Sequence, residues 1–473
     1  MNTSDFRRLG HALVDWIADY REGIAELPVM SAARPRSIKD QLPRAPPSAG
    51  GTLESIAVDL SRVVLPGITH WHHPRFFAYF PSNSTLAAVL ADLVCSGIGA
   101  QAMSWQTSPA ATEVEEVMMD WLRQMTGLPE TFTGVIQDTA STATLVAFVC
   151  ARERATGYAQ ESEGLQGGGP PLVVYTSDQA HSSVEKAARL AGLGRANIRL
   201  IATDDAHAMR VDRLEQAIEE DRRAGRRPLA VVAAVGTTAT TAVDPLSAIA
   251  DVARKYEMWL HVDAALAGSA MILPECRAAW AGVEHADSLV WNPHKWLGST
   301  FDLSAYYVRD PDHLIRVMST SPSYLKTSVD GEVRNFRDWG IPLGRRFRAL
   351  KLWFLLRDEG VSGLQARLRR DLANAAWLKD QIDRTPGWER VAPVPFQTVC
   401  VRHAPEGMTS AEADAHNLAW ALRINRSGEA YLTPTVLKGR QIVRISIGAE
   451  ATERSHVEAL WARMKREVSL ARP

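Results

Sequence analysis

The chain has 473 residues, a length that predicts two or more packed lobes instead of one core. Its 53 basic and 54 acidic side chains nearly cancel, which argues against nucleic-acid partners and a polybasic membrane surface. No apolar run approaches the ~20 residues that cross a bilayer and no signal peptide is recognisable, so we expect a cytoplasmic protein without membrane contact.

The first segment predicts an amphipathic helix followed by an extended connector. Apolar side chains recur at helical spacing from Phe6 to Ile17, and Thr3 or Ser4 can cap the helix. Residues 33–51 are rich in Pro, Gly, Ser and Arg, which is typical of a connector. The apolar stripe of the helix needs a cover, either from its own chain or from a partner subunit.

From about residue 112 onward, helical and strand-like patterns alternate. Strands are predicted at 172–176, 198–202, 229–235, 259–262, 287–291 and 304–308, and helices at 114–125, 141–155, 183–191, 211–223 and 246–255. This alternation favours a largely parallel sheet covered by helices on both faces. After about Pro342 the pattern predicts long helices over 345–384, strands at 397–401 and 441–447, and a closing helix, which together indicate a smaller α+β lobe.

A lysine lies at the exit of a buried strand in the run 288–296, SLVWNPHKW. Pro293 interrupts the strand, and Lys295 then lies between His294 and Trp296. Desolvation at such a position lowers the pKa of a lysine and favours its nucleophilic neutral form, which a Schiff-base lysine needs. An ordinary lysine at a strand end is the alternative.

Asp263 ends the apolar strand WLHVD and so lies at the carboxyl edge of the predicted sheet. Ligands of open α/β sheets bind at that edge. Pyridoxal phosphate (PLP) needs a lysine for its aldehyde and an acid for its pyridine nitrogen, and Lys295 with Asp263 supplies both. An aspartate that only caps a turn is the alternative.

Three further patterns are weaker. The run 138–141, DTAS, precedes a predicted helix whose N–H groups can hold a phosphate, although a plain helix cap explains it equally well. His181 can stack on a cofactor ring or cap the next helix. The histidines of 70–73, HWHH, have no accompanying cysteine or HExxH pattern, so we predict no metal site.

With these motifs, the chain resembles the aromatic-L-amino-acid decarboxylases, which are group II PLP decarboxylases of the aspartate-aminotransferase fold. The resemblance covers almost the whole chain and rests on specific motifs. They are NPHKW at 292–296, HVDAA at 261–265, DQAHSS at 178–183, THWHHPRFFAYFP at 69–81, SPAATE at 108–113, GVIQ at 134–137, SYLK at 323–326 and IPLGRRFR at 341–348.

The resemblance implies a role for each matched residue. Lys295 binds PLP covalently, Asp263 pairs with the pyridine nitrogen, and His181 stacks on the ring. Tyr324, on a closing loop, delivers a proton to the substrate Cα directly or through His181. The cofactor-binding set is completed by Ala140, Ser141, Thr238, Ala265, Asn292 and His294. The substrate pocket is formed by Trp71, Tyr79, Phe80, Pro81, Met103 and Gly344.

The resemblance also implies the architecture. We expect fold type I, with a large, mostly parallel seven-stranded mixed sheet and helices on both of its faces. The expected parts are an N-terminal helical segment at 1–80 that wraps a partner subunit, a PLP domain at 81–341 and an α+β domain at 342–473. The family is an obligate homodimer with its active site at the interface, which would explain the uncovered stripe of the first helix.

The expected reaction is decarboxylation of an aromatic L-amino acid to an arylalkylamine and CO₂. The chain departs from the animal enzymes at Asp138, Leu266 and Met103, which leaves the identity of the substrate ring open. Gly344 leaves space in the pocket, and in plant relatives a small residue there accompanies indole substrates. Glycine is also simply a common residue at this position.

Four alternatives remain. An aromatic aldehyde synthase has the same fold and cofactor, and the presence of Tyr324 and His181 argues against it. The aromatic segment around Tyr79 and Phe80 disfavours a decarboxylase of acidic amino acids. A catalytically silent PLP-binding dimer would need damage at the cofactor site, and an aminotransferase would not match the decarboxylase motifs along the whole chain.

Overall fold

The computed structural model describes residues 1–166, 168–320 and 331–470. Its strands are β1 Thr133–Gln137, β2 Leu172–Ser177, β3 Ile198–Ile201, β4 Arg227–Ala234, β5 Trp259–Asp263, β6 Ser288–Trp291, β7 Ser304–Val308, β8 Trp388–Arg390, β9 Thr398–His403, β10 Thr433–Leu437 and β11 Arg440–Ser446. Its α-helices are α1 Thr3–Gly23, α2 Leu53–Asp59, α3 Leu86–Ile98, α4 Pro109–Thr126, α5 Ala140–Thr156, α6 Ala159–Glu163, α7 Ser182–Leu190, α8 Val211–Arg223, α9 Leu246–Lys255, α10 Pro311–Met318, α11 Ala349–Asp383, α12 Ser410–Ser427 and α13 Arg454–Leu470.

Contacts divide the chain into two units. The larger unit contains Ser82–Ala375 and Ala392–Val399, and the smaller contains Met1–Pro81, Ala376–Val391 and Cys400–Pro473. The amino-terminal segment thus groups with the end of the chain. The three-part division at residues 80 and 341, with its functional roles, stays a prediction.

The larger unit is built on a seven-stranded sheet in the order β1-β7-β6-β5-β4-β2-β3. Its pairs are parallel except at β7, which runs antiparallel to both β6 and β1. Strands such as Leu172–Ser177 are buried along their whole length, as expected for a parallel sheet covered by helices. Helices α5, α8 and α9 pack against it, and the predicted fold class is confirmed.

The smaller unit contains a four-stranded sheet in the order β10-β11-β9-β8. Helix α12 packs on β11 and on α13. A capping box starts α12, because Thr409 accepts a hydrogen bond from the Glu412 N–H while the Glu412 side chain accepts from the Thr409 N–H. The predicted second α+β body is therefore present.

Several predicted elements differ from the structure at their ends. Helix α1 is capped by Asn2, whose Oδ1 accepts from the Asp5 N–H at 2.8 Å, so the expectation of Thr3 or Ser4 was wrong. The late helix starts at Ala349 and breaks at Gly360, where φ is 61°. The elements that had not been predicted are strands β1, β8 and β10 and helices α2, α3, α6, α10 and α12.

Within the part of the chain that the structure describes, no helix is both long and apolar enough to cross a membrane.

Candidate active site

The sequence-predicted residues gather along one edge of the large sheet. Strands β1, β2, β5 and β6 run in the same direction, so their carboxyl ends meet there. His181 follows β2, Asp263 ends β5, and Lys295 lies in the π-helical turn Pro293–Leu297 that follows β6. This is the edge at which open α/β sheets bind their ligands.

His181, Asp263 and Lys295 share one electrostatic environment. Burial lowers the pKa of the His181 imidazole, the Asp263 carboxylate acts to raise it, and the Lys295 ammonium acts to lower it. Charges affect a pKa in this way only over short distances. The structure therefore brings together the three residues that the sequence placed in one site.

The orientation of His181 is fixed by the start of helix α7. Its Nδ1 accepts a hydrogen bond from the Ser183 N–H at 3.1 Å and lies 2.8 Å from the Ser183 hydroxyl. An accepting Nδ1 carries no proton, so the neutral ring holds its proton on Nε2. The capping role that was the alternative for this residue is thus real, and it leaves Nε2–H as the donor of the ring.

The Asp263 carboxylate is held at the strand end by its own turn. Its Oδ1 accepts a hydrogen bond from the Ala265 N–H at 3.0 Å. Two residues earlier, on the same face of β5, His261 is fully buried, and burial lowers its pKa to about 4. Asp263 therefore lies beside a neutral imidazole and the buried end of a strand.

The turn that carries Lys295 is tied to its surroundings through the backbone. The Asn83 N–H donates to the Lys295 carbonyl at 3.2 Å, and the Lys295 N–H donates to the Asn292 carbonyl at 3.0 Å. The next side chain, Trp296, is fully buried. Lys295 itself is only partly buried, which leaves its side chain accessible to a ligand.

Two residues of helix α11 hold this turn and were missed by the sequence analysis. Arg367 donates to the carbonyls of Trp296 at 3.0 Å and Leu297 at 2.5 Å. The Trp296 indole N–H donates to the Asp371 carboxyl at 2.8 Å. The only sign of Arg367 and Asp371 in the sequence is their spacing of four residues, which puts both side chains on one face of the helix.

Asn292 and His294 lie on either side of Pro293 and are buried. The Asn292 amide oxygen accepts from the Ser304 hydroxyl at 2.6 Å, a partner that the sequence did not indicate. His294 Nδ1 lies 2.6 Å from the Leu303 carbonyl oxygen and 3.0 Å from the Leu303 nitrogen. Burial lowers the pKa of His294 to about 4, so its ring is neutral at physiological pH.

The start of helix α5 lies at the same edge. Thr139 caps the helix by accepting from the Thr142 N–H at 3.4 Å. Ala140 and Ser141 are then the first helical residues, and the Ser141 side chain is exposed. Backbone N–H groups at such a start, together with a free hydroxyl, suit a phosphate.

The remaining cofactor candidates lie in two neighbouring turns. Ala265 follows Asp263 by two residues, and Thr238 is exposed in the turn after β4. In that turn a Cβ at Gly236 would lie 2.7 Å from the Ala267 Cβ, so glycine is required by the close approach. The cofactor contacts of Ala265 and Thr238 stay predictions.

The predicted aromatic pocket residues 71 and 79–81 belong to the smaller unit. The Trp71 ring lies 4.6 Å from the Phe76 ring and 5.6 Å from the Tyr79 ring, between centroids. The Arg444 guanidinium lies 4.8 Å from the centre of the Phe80 ring, and Pro81 is buried. Trp71 and Tyr79 are more than a third exposed, and the pocket role of the segment stays a prediction.

Met103 and Gly344 lie in the larger unit, together with Lys295. The Met103 carbonyl accepts from the Arg337 N–H at 2.8 Å. Among the described residues, a Cβ at Gly344 would meet the Gln101 amide, at 3.5 Å, and the role of Gly344 in the pocket stays a prediction. Tyr324 lies outside the described residues.

Together these residues fit PLP. Lys295 offers an amine for its aldehyde, Asp263 a carboxylate for its ring nitrogen, and helix α5 a phosphate site. All three occur at one edge of the sheet. The neutral imidazole of His181, at the same edge, adds a flat aromatic surface. The donor set is thus complete within the larger unit.

Known proteins agree with this assignment. Residues 35–404 match the family model described as the pyridoxal-dependent decarboxylase conserved domain. The chain is 42% identical to an aromatic-L-amino-acid decarboxylase of Sus scrofa, over 98% of this chain and 96% of that one. It is 40% identical to a phenylacetaldehyde synthase of Arabidopsis thaliana, over 99% and 97%. A crystal structure of Oryza sativa TDC with PLP and tryptamine matches with a TM-score of 0.96 at 40% identity, over 99% of both chains.

The family model covers well over half of the chain, and these relatives match it almost from end to end. On the sequence, the sheet-edge site and these matches, the chain belongs to the pyridoxal-dependent decarboxylase family.

Proposed function

We propose that this protein is a PLP-dependent decarboxylase that converts an aromatic L-amino acid to its arylalkylamine and CO₂. The observation that carries the proposal is the position of His181, Asp263 and Lys295 after or at the carboxyl ends of parallel strands of one sheet. Relatives named for aromatic-L-amino-acid, tryptophan and tyrosine decarboxylation, each 40–42% identical, support the substrate class.

Bound PLP supplies a ring that accepts the electron pair released when a bond at the substrate Cα breaks. The chain contributes the groups around it. Lys295 would hold the cofactor through its amine. The Asp263 carboxylate would stabilise a proton on the ring nitrogen, and its hydrogen bond from the Ala265 N–H keeps it in place. His181, neutral and oriented by Ser183, can pass the Nε2 proton towards the substrate.

A product assay tests the proposal. The PLP-loaded protein is given Phe, Tyr, Trp, 3,4-dihydroxyphenylalanine and 5-hydroxytryptophan separately, with Glu as the control substrate, and amines and aldehydes are measured by mass spectrometry. We expect an amine from at least one aromatic acid and none from Glu. Lys295→Ala should abolish it, whereas Lys255→Ala, at an exposed lysine on helix α9, should not. Amine from Glu alone would overturn the substrate class.

The aldehyde synthase is the second candidate, because the Arabidopsis relative is as similar as the decarboxylases. That reaction consumes oxygen and water and releases an aldehyde, CO₂, ammonia and hydrogen peroxide. The presence of His181 and Tyr324 supports the amine product. In the same assay Tyr324→Phe should lose amine and gain aldehyde, and unchanged amine output would remove Tyr324 from the mechanism.

We also propose that the protein acts as a cytoplasmic homodimer with its site at the interface and with residues 1–80 packed on the partner. The support lies in helix α1, which has no buried residue in the isolated chain. Its apolar side chains, among them Phe6 and Leu13, are exposed. A helix with an uncovered apolar face is typical of a contact with another subunit.

A further inference from the structure

A cleft of about 470 Å³ opens at the edge of the large sheet opposite to the cofactor residues. Its wall includes Leu229 near the start of β4, Leu260 near the start of β5, Asp287 just before β6 and Arg309 just after the antiparallel β7. All of these positions lie at the amino edge of the parallel strands. The cleft is therefore separate from the site that contains Lys295.

The cleft combines an apolar floor with a cationic rim. Its floor includes Ala151, Leu229, Ala253 and Met258. Arginines outnumber acids in the lining: four guanidinium groups, at 154, 227, 254 and 309, face two carboxylates, at 257 and 287. The lining residues carry two excess positive charges, four minus two, and Asp251, which pairs with Arg254 just outside the lining, offsets one of them.

Two of the arginines are held in fixed positions by one buried acid. Asp287 accepts hydrogen bonds from Arg154 at 2.6 and 3.3 Å and from Arg309 at 3.2 Å. The Leu260 N–H donates to the same carboxylate at 2.8 Å. The Arg154 guanidinium also lies 4.5 Å from the centre of the Trp259 ring. These contacts preorganise both guanidinium groups before any ligand binds.

The other two arginines have donors to spare. Arg254 is 64% exposed and pairs with Asp251 through one nitrogen at 3.0 Å. Arg227 is exposed, and its guanidinium makes no ion pair with any acid among the described residues. Each guanidinium has five N–H donors, so most of the donors at the rim are available.

We propose that this cleft is a binding site for an organic phosphate: a phosphate monoester with an apolar body. Guanidinium groups bind phosphate oxygens in pairs, and three oxygens in a tetrahedral group can receive donors from several directions at once. A flat carboxylate has only two oxygens. The apolar floor suits the body of such a ligand, and the volume lies in the range of small-molecule sites.

Two elements of the fold, helix α5 and strand β6, extend from the cleft to the cofactor site. Helix α5 starts at Ala140, in the cofactor set, and reaches the cleft with Ala151 and Arg154. Strand β6 follows Asp287 and leads to the turn of Lys295. The cleft shares no residue with the cofactor set, so binding at it is measurable independently of decarboxylation.

Calorimetric titration of the PLP-loaded protein with phenyl phosphate at fixed low ionic strength tests the proposal. Inorganic phosphate serves as the probe without an apolar body, and isophthalate as an aromatic dianion without phosphorus. Arg227→Ala removes a rim guanidinium. Arg223→Ala, on helix α8, is the matched control, because Arg223 is also exposed and lies outside the cleft.

We expect saturable binding of phenyl phosphate, weaker binding of inorganic phosphate, and a loss of about tenfold or more in Arg227→Ala, the effect of one charge-assisted hydrogen bond. Arg223→Ala should change the affinity by about twofold at most, since distant exposed charges are screened. Equal affinities of the two variants would overturn the proposal. So would the absence of saturable binding, tighter binding of isophthalate, or binding that occurs only after PLP is removed.

Discussion

At the scale of single residues, the charge of Asp263 is the feature on which the proposed chemistry depends most. A carboxylate opposite the ring nitrogen keeps that nitrogen protonated, whereas a neutral amide does not. The same charge acts on His181, where it raises the pKa against the lowering effect of burial. Removing it therefore affects two groups of the site.

Asp263→Asn should lower kcat for amine formation by about 10²–10³-fold, the range for a lost electrostatic contact to developing charge. It should also lower the pKa of His181, because the group that favours the imidazolium is gone. Steady-state kinetics and NMR titration of the histidine check the two effects. Asp178→Asn is the control, an exposed carboxylate just after β2. A kcat within a few fold of the wild type would exclude Asp263 as the ring partner.

At the scale of secondary-structure elements, helix α11 determines how the lysine turn is held. Arg367 and Asp371 bind the backbone and indole of the turn, and both are largely buried. Burial raises the pKa of Asp371 to about 7, although Trp296, Arg370 and Arg367 act to lower it. The hydrogen bond between Trp296 and Asp371 therefore makes the stability of the turn depend on pH.

Asp371→Asn should change the pH dependence of unfolding. Between about pH 4 and about pH 7 the native carboxyl binds a proton that the unfolded one has released, so the free energy of unfolding of the wild type falls as pH rises. Asparagine does not titrate, and its oxygen can still accept from Trp296. The free energy of unfolding of the variant minus that of the wild type should increase with pH across this window, by roughly 4 kcal/mol at most. The difference between their Tm values should increase in the same direction.

Thermal unfolding of the PLP-loaded proteins at several pH values measures this difference. Asp380→Asn, at an exposed carboxylate of the same helix, is the control for removing a carboxylate elsewhere on the helix. A difference between Asp371→Asn and the wild type that does not change with pH would mean that the Asp371 carboxyl is ionised in the native state throughout.

The sequence predicted some elements of the fold and not others for physical reasons. Helices α8 and α9 and strand β7 have the predicted bounds, because their apolar periodicity ends where the elements end. Strand β1 contains glycine and glutamine, which weaken a strand pattern. The places of Lys295 and Asp263 in the fold were predictable, because Lys295 follows an apolar strand and Asp263 ends one. Asp371 was not, because only the folded chain brings it to Trp296.

At the scale of the whole molecule, the exposed apolar face of helix α1 indicates a contact with another subunit. Helix α1 exposes Phe6, Leu13 and Val14 to solvent at 58%, 44% and 41%. The spacing of seven and eight residues puts them on one face. Fully burying a side chain of this size contributes about 1.5–3 kcal/mol, so covering these half-exposed side chains contributes roughly half of that each, and a twofold-symmetric contact gains each contribution twice.

Leu13→Asp should therefore convert the proposed dimer to monomer at concentrations where the wild type stays paired. The contact would bury two unpaired carboxylates, one from each subunit. We therefore expect the dimer dissociation constant to rise by at least about tenfold. Sedimentation velocity of the PLP-loaded protein measures it. Leu200→Asp is the control, because Leu200 is 67% exposed on strand β3 in the larger unit. If the site requires both subunits, amine formation by Leu13→Asp should fall on dilution together with the dimer fraction. A monomeric wild type, or equal dissociation constants for the two variants, would place the apolar face of α1 outside any subunit contact.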